Sequence, residues 1–136
     1  MATSAEAYVD TTSHIAFSDR SDSHHAVFRK LFADPPRLVT TPLVITEGHG
    51  WFLKRYDIGR ALQFLSMIEE MPLKTIEVGS DELSESIKLL RKFSDQDLTL
   101  TDAAGLYVMK SRRIRVCWST DFHLGLTGIP LVIHQA

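Results

Sequence analysis

The stretch AYVDTTSHIAF, residues 7–17, decides how the rest of the chain is read. Its short apolar run ends on one carboxylate, Asp10, which is followed at once by Thr11, Thr12 and Ser13. That order suggests a β-strand carrying an acid to the rim of a sheet. By itself the pattern is weak, because aspartates at strand ends commonly start turns or cap helices. Downstream, a polar loop SDRSDSHH leads to a helix over about 23–33, where Val27, Phe28, Leu31 and Phe32 recur at helical spacing. Pro35 and Pro36 stop it, and RLVTT (37–41) reads as a second strand. Thr41-Pro42 is a helix start, a hydroxyl cap before proline at the first helical position, and predicts a helix to about Arg55. Gly48 and Gly50 lie inside it. Each costs about 1 kcal/mol relative to alanine, so something is expected to approach closely there.

Asp57 caps a further helix, with Ala61, Leu62, Leu65 and Ile68 on one face, and Pro72 ends it. LKTIEV (73–78) is a third strand, and SDELSESIKLLRKF (80–93) a helix with acids in its first turn and bases in its last. A helix opening at Thr101, a strand IRVCWST (114–120) and a final strand PLVIH (130–134) complete the pattern. Strands alternating with helices imply an α/β fold, with a parallel sheet of about five strands sandwiched between two helical layers. In such a sheet ligands bind at the carboxyl ends of the strands.

The 136 residues, 44% of them hydrophobic, fit a single domain over 1–136, with 1–5 as a loose tail. A net charge of −2 gives no global basic field for a polyanion, so any such site must be local. The lone Cys117 lies in the apolar run IRVCW and reads as a small buried hydrophobe in a reducing compartment. MATSAEAY has no basic segment followed by an apolar core, and no 18-residue apolar span follows. A soluble cytoplasmic protein with no membrane partner is expected.

Four acids meet on the carboxyl rim in this reading. Asp10 and Asp121 follow strands directly, Asp102 lies in the first turn of the helix from Thr101, and Glu47 is about one and a half turns into the helix from Pro42. Glu47 also interrupts an apolar helix face, so its burial would require a partner. Taken singly, Asp102 is an ordinary helix-start acid, Asp121 a turn former and Glu47 a paired core acid. Together they repel, which a proton or a cation must relieve. Oxygen ligands without a cysteine pair or a spaced histidine pair favour Mg²⁺ or Mn²⁺ over zinc. Such an ion suits in-line hydrolysis of a phosphodiester.

The motifs AYVDTTSHIAF, TTPLVITEGHGWF, DLTLTDAAGLYVM and VCWSTDFHLGLTG, in that order, resemble the PIN-domain ribonucleases, and among them the VapC-like toxins of type II toxin–antitoxin pairs. The resemblance covers about residues 6–133. It implies a metal site at Asp10, Glu47, Asp102 and Asp121, an RNA substrate, a small antitoxin partner and a homodimer. Thr12 and Ser119 stand where that family commonly carries hydroxyls, and would hold carboxylates or a metal-bound water. Asp97, in SDQDL, would add a nearby charge. KSRRIR (110–115) ends a helix and so falls near the opposite rim, where cations are stabilising on their own account. Arg20 is better placed for a phosphate. Among the histidines, His123 is the best metal or base candidate, with a partly packed surface residue as the plainer reading. Trp51, Phe52, Phe64, Met67 and Met71 read as core and dimer-face packing. Two alternatives stay open: an inactive RNA- or protein-binding module of the same fold, and a metal-dependent phosphatase or phosphoacceptor domain.

Overall fold

The computed structural model describes residues 5–134, so most of the expected N-terminal tail lies outside the described residues. Four parallel strands, β1 (Glu6–Val9), β2 (Arg37–Thr40), β3 (Leu73–Thr75) and β4 (Cys117–Trp118), are ordered β3-β2-β1-β4. The helices are α1 (Thr11–Ser18), α2 (His25–Ala33), α3 (Pro42–Arg55), α4 (Ile58–Glu70), α5 (Ser80–Lys92) and α6 (Leu100–Ser111).

The period-2 alternation of the strands explains the layering. Ala7 and Val9 of β1, Leu38 of β2 and Trp118 of β4 pack with Ala16 of α1 and Phe28 of α2. Tyr8, Val39 and Cys117, one residue out of step, pack on the other face with Leu106 and Met109 of α6. Every strand residue named is buried, so both faces are covered and the sandwich expected from the sequence is present. β1 is hydrogen-bonded on both sides, which makes the Asp10 strand central. Cys117 is buried, and burial raises its thiol pKa well above the usual range.

Five elements differ from expectation: the strands expected over 73–78 and 114–120 shorten to β3 and β4, and three others change more. TTSHIAFS forms α1, whereas no helix was expected before residue 23. Its threonines and serines are poor helix formers, and Thr11, Ser13, His14 and Ala16 are all buried, so the amphipathic stripe that marks a surface helix is missing. α6 starts one residue before Thr101, capped by Thr99. The fifth strand is reduced to one bridge, Leu131 with Cys117, after which Val132–His134 makes a 3-10 turn. Pro130 gives only its carbonyl to this pairing, to Cys117 N–H at 3.0 Å, and has no N–H with which to extend the ladder.

The Thr41 and Asp57 caps are as expected. Thr41 Oγ1 accepts from Val44 N–H at 3.4 Å and Asp57 Oδ1 from Arg60 N–H at 2.8 Å. Leu62, expected on the packed face of α4, is instead 55% exposed. The two glycines of α3 separate. A Cβ at Gly48 would strike the ring of Phe64 on α4, within 2.8 Å of Cε2 and closer still to Cζ, while one at Gly50 meets nothing within 4 Å. Gly48→Ala is therefore expected to lower unfolding stability by about 1–3 kcal/mol through overpacking. Gly50→Ala should raise it by up to about 1 kcal/mol. Urea titration of both variants checks the pair.

Candidate active site

Asp10 leaves β1 at the carboxyl rim with its N–H donating to Trp118 O at 3.0 Å, so the ends of β1 and β4 are tied together. Ser13 Oγ reinforces the tie, 2.8 Å from Asp10 O and 2.6 Å from Trp118 O. Asp10 occupies the N-cap position of α1, yet its side chain makes no capping hydrogen bond. Instead Oδ2 accepts from Thr12 Oγ1 at 3.1 Å and Ser119 Oγ at 2.9 Å. Each hydroxyl also accepts a backbone N–H. Thr120 N–H donates to Thr12 Oγ1 at 3.0 Å and Asp121 N–H to Ser119 Oγ at 2.9 Å. The ionised carboxylate can only accept, so each hydroxyl that bonds Asp10 is the donor, and the two hydroxyls also lie 3.0 Å from each other. Two segments more than a hundred residues apart in sequence thus hold one carboxylate.

Asp102 is the third residue of α6 and closes a capping box: Thr99 N–H donates to its Oδ2 and Asp102 N–H to Thr99 Oγ1, each at 3.1 Å. The ordinary cap role is therefore real, and it locks the side chain while leaving Oδ1 without a protein donor among the described residues. Asp121 caps the 3-10 turn Phe122–Gly125, its Oδ1 accepting from His123 N–H at 3.0 Å. His123 Nδ1 lies 2.8 Å from the same oxygen. Ligand atoms of Asp102, Asp121 and His123 fall within 4.8 Å of one another.

Electrostatics connects this trio to the other two acids. Burial is the main reason the Asp10 carboxyl is pushed up to about 6, with the Asp102 charge adding to it and the Ser119 hydrogen bond opposing it. Asp102 is raised by burial first, then by the charges of Asp121 and Glu47. Glu47 is thus near enough for its charge to act on Asp102, but it is exposed. The expectation of a buried Glu47 needing a partner is corrected: its end of α3 stands at the mouth of the site, in water. Asp97 is exposed and makes no hydrogen bond or ion pair among the described residues. His123 joins the acids more closely than its sequence context implied, because the 3-10 turn folds it back onto Asp121. No lysine or arginine pairs with Asp10, Glu47, Asp102 or Asp121 among the described residues. Carboxylate oxygens with one imidazole suit a hard divalent cation.

The basic segment 110–115 does lie away from this rim. Arg112 pairs with Glu6 at the start of β1, 2.7 Å from Nη2 to Oε2, and its hydrogen bond lowers the Glu6 pKa. Arg20 is exposed and lines a separate cleft with Asp19, Arg60 and Gln63. Phe52 and Phe64 are core, stacked at 5.2 Å between α3 and α4.

No family model matches the chain. Ribonuclease VapC26 of Mycobacterium tuberculosis is 22% identical over 114 residues, 83% of this chain and 84% of that protein. Among solved structures, the M. tuberculosis toxin VapC20, described as cleaving the sarcin-ricin loop, superposes with a TM-score of 0.83 at 19% identity, over 90% of this chain and 95% of that one. The fold is that of the VapC toxins. A toxin–antitoxin complex from Klebsiella pneumoniae also aligns, at a TM-score of 0.61 and 23% identity over 92% of this chain and 94% of that one. The resemblance to VapC-like proteins carried by the four motifs therefore extends to nearly the whole backbone, and the rim that bears Asp10, Asp102 and Asp121 belongs to a VapC-like sheet.

Proposed function

We propose that the chain is a divalent-metal-dependent ribonuclease, hydrolysing RNA phosphodiester bonds with Mg²⁺ or Mn²⁺, and that it is the toxin of a toxin–antitoxin pair. The observation that carries this reading is the convergence of Asp10, Asp102 and Asp121 on the carboxyl rim of a VapC-like sheet, with no lysine or arginine among the described residues paired to them. Asp10, Glu47, Asp102 and Asp121 would hold the ion, with His123 beside them. A bound Mg²⁺ or Mn²⁺ supplies Lewis-acid stabilisation of phosphate charge and a more acidic water.

The chain's own residues divide the remaining work. Thr12 and Ser119 fix Asp10, and the Thr99 capping box fixes Asp102, so two acids are positioned before substrate arrives. Glu47 is the exposed member of the four. The relatives support an antitoxin partner: one is named a ribonuclease and another is a toxin–antitoxin complex. A homodimer, a single domain over 1–136 and a cytoplasmic site of action belong to the same proposal. No helix among the described residues is long and apolar enough to cross a membrane.

The test is metal removal. Chelator-stripped protein is expected to leave single-stranded and structured RNA intact, and added Mn²⁺ to restore cleavage and raise the melting temperature. No cleavage and no metal-dependent stabilisation would instead support an inactive binding module. Turnover of a phosphomonoester by the same acids would support a phosphatase.

A further inference from the structure

Phe122 is 66% exposed, among the most exposed large apolar side chains described, and it follows Asp121 directly. Leaving such a ring in water forgoes about 1.5–3 kcal/mol of burial. Phe122 is not a loose surface residue. It opens the 3-10 turn that Asp121 caps, and its ring lies 4.2 Å from the His123 ring at an interplanar angle of 31°. His123 is itself held by Asp121 through Nδ1. The ring is therefore supported on one side by a member of the acid cluster and open on the other. The other strongly exposed apolar residues, Ile58 and Leu62, are aliphatic and lie on α4, with no link to the acids.

We infer that Phe122 is a base-stacking platform for an RNA nucleotide beside the phosphate that the acids engage. This rests on the ribonuclease reading and adds the form of RNA that the site accepts. A base inside a duplex already has both faces stacked, whereas an unpaired or extruded base has a face to offer. Phenylalanine has no hydrogen-bonding group with which to read base edges, so the contact favours single-stranded RNA without selecting its sequence.

The test uses the full chain in an Asp10→Asn background, which keeps the RNA intact, and a short single-stranded RNA carrying 2-aminopurine at successive positions. Stacking quenches 2-aminopurine, so quenching at one position is expected, to be lost in Phe122→Leu and kept in Phe122→Trp. Phe122→Leu should weaken RNA binding by about 10-fold. With an abasic nucleotide at the quenched position, the Phe122→Leu and parent proteins should bind alike. Equal binding and equal quenching by the Phe122→Leu protein would overturn the platform and leave the ribonuclease reading standing if wild type cleaves. Quenching without any cleavage by wild type would retain the platform and remove the ribonuclease. Loss of affinity for a protein partner, with RNA binding unchanged, would reassign Phe122 to that interface.

Discussion

Asp10→Asn is expected to reduce RNA cleavage by about 10³-fold while making the metal-free protein more stable than wild type at neutral pH. The two effects share a cause. Asp10 is 2% exposed, and burial together with the Asp102 charge pushes its carboxyl from 3.8 up to about 6. At pH 7 the folded protein carries a charge that burial disfavours, which corresponds to as much as about 3 kcal/mol of lost stability. Asparagine has the same shape, still accepts hydrogen bonds from Thr12 and Ser119, and carries no charge. The pH dependence distinguishes this from a general packing effect. As pH falls through 6, folded wild type takes up a proton before the unfolded chain does, so wild type gains stability and the variant does not. The advantage of the variant should therefore be full above pH 6, shrink between about 6 and 4, and be gone below 4. Saturating Mn²⁺ at pH 7 should also close the gap by binding wild type more tightly. Urea titrations of both proteins from pH 4 to 7.5 check this. A variant less stable than wild type at pH 7 without metal would count against a strained Asp10.

How much of this was legible in the sequence depended on whether a signal was local. Thr41-Pro42 and Asp57 stated their helix starts because a cap is a contact between a residue and its third neighbour. α1 was not legible, because TTSHIAFS owes its helix to burial on nearly every side rather than to propensity or a stripe. Gly48 was legible as a close approach, and Gly50 gave the same signal without the contact, since composition does not say which side of a helix faces a neighbour. Glu47 failed for the same reason. Its apolar neighbours Leu43 and Trp51 suggested burial, but α3 turns Glu47 outward at the rim, where no partner is required.

At the site itself, chain order and topology brought Asp10, Asp102 and Asp121 to one rim before any side chain was visible. What they could not supply was the return of residues through a turn. His123 meets Asp121 only because Phe122–Gly125 winds as a 3-10 helix, and the same winding puts Phe122 in solvent.

Ser119→Ala is the second large effect, and it separates positioning from chemistry. The hydroxyl of Ser119 is fully buried, gives its proton to Asp10 and accepts the N–H of Asp121, so one atom links two of the acids. Removing it leaves the Asp121 N–H without that acceptor and takes from Asp10 the strongest influence holding its pKa down. Mn²⁺ affinity at pH 7 is expected to fall by about 10- to 100-fold, with RNA cleavage falling in parallel at limiting metal. Because the higher Asp10 pKa makes a proton a better competitor for the site, part of the loss should be recovered by raising the pH to 8. Thr12→Ala, which removes a longer bond from a less buried hydroxyl, should cost less. Melting-temperature titrations with Mn²⁺ at pH 6, 7 and 8 measure all of these. A Ser119→Ala protein that is merely less stable, with unchanged Mn²⁺ affinity at every pH, would make Ser119 a packing residue and leave Asp10 to be positioned by Thr12 alone.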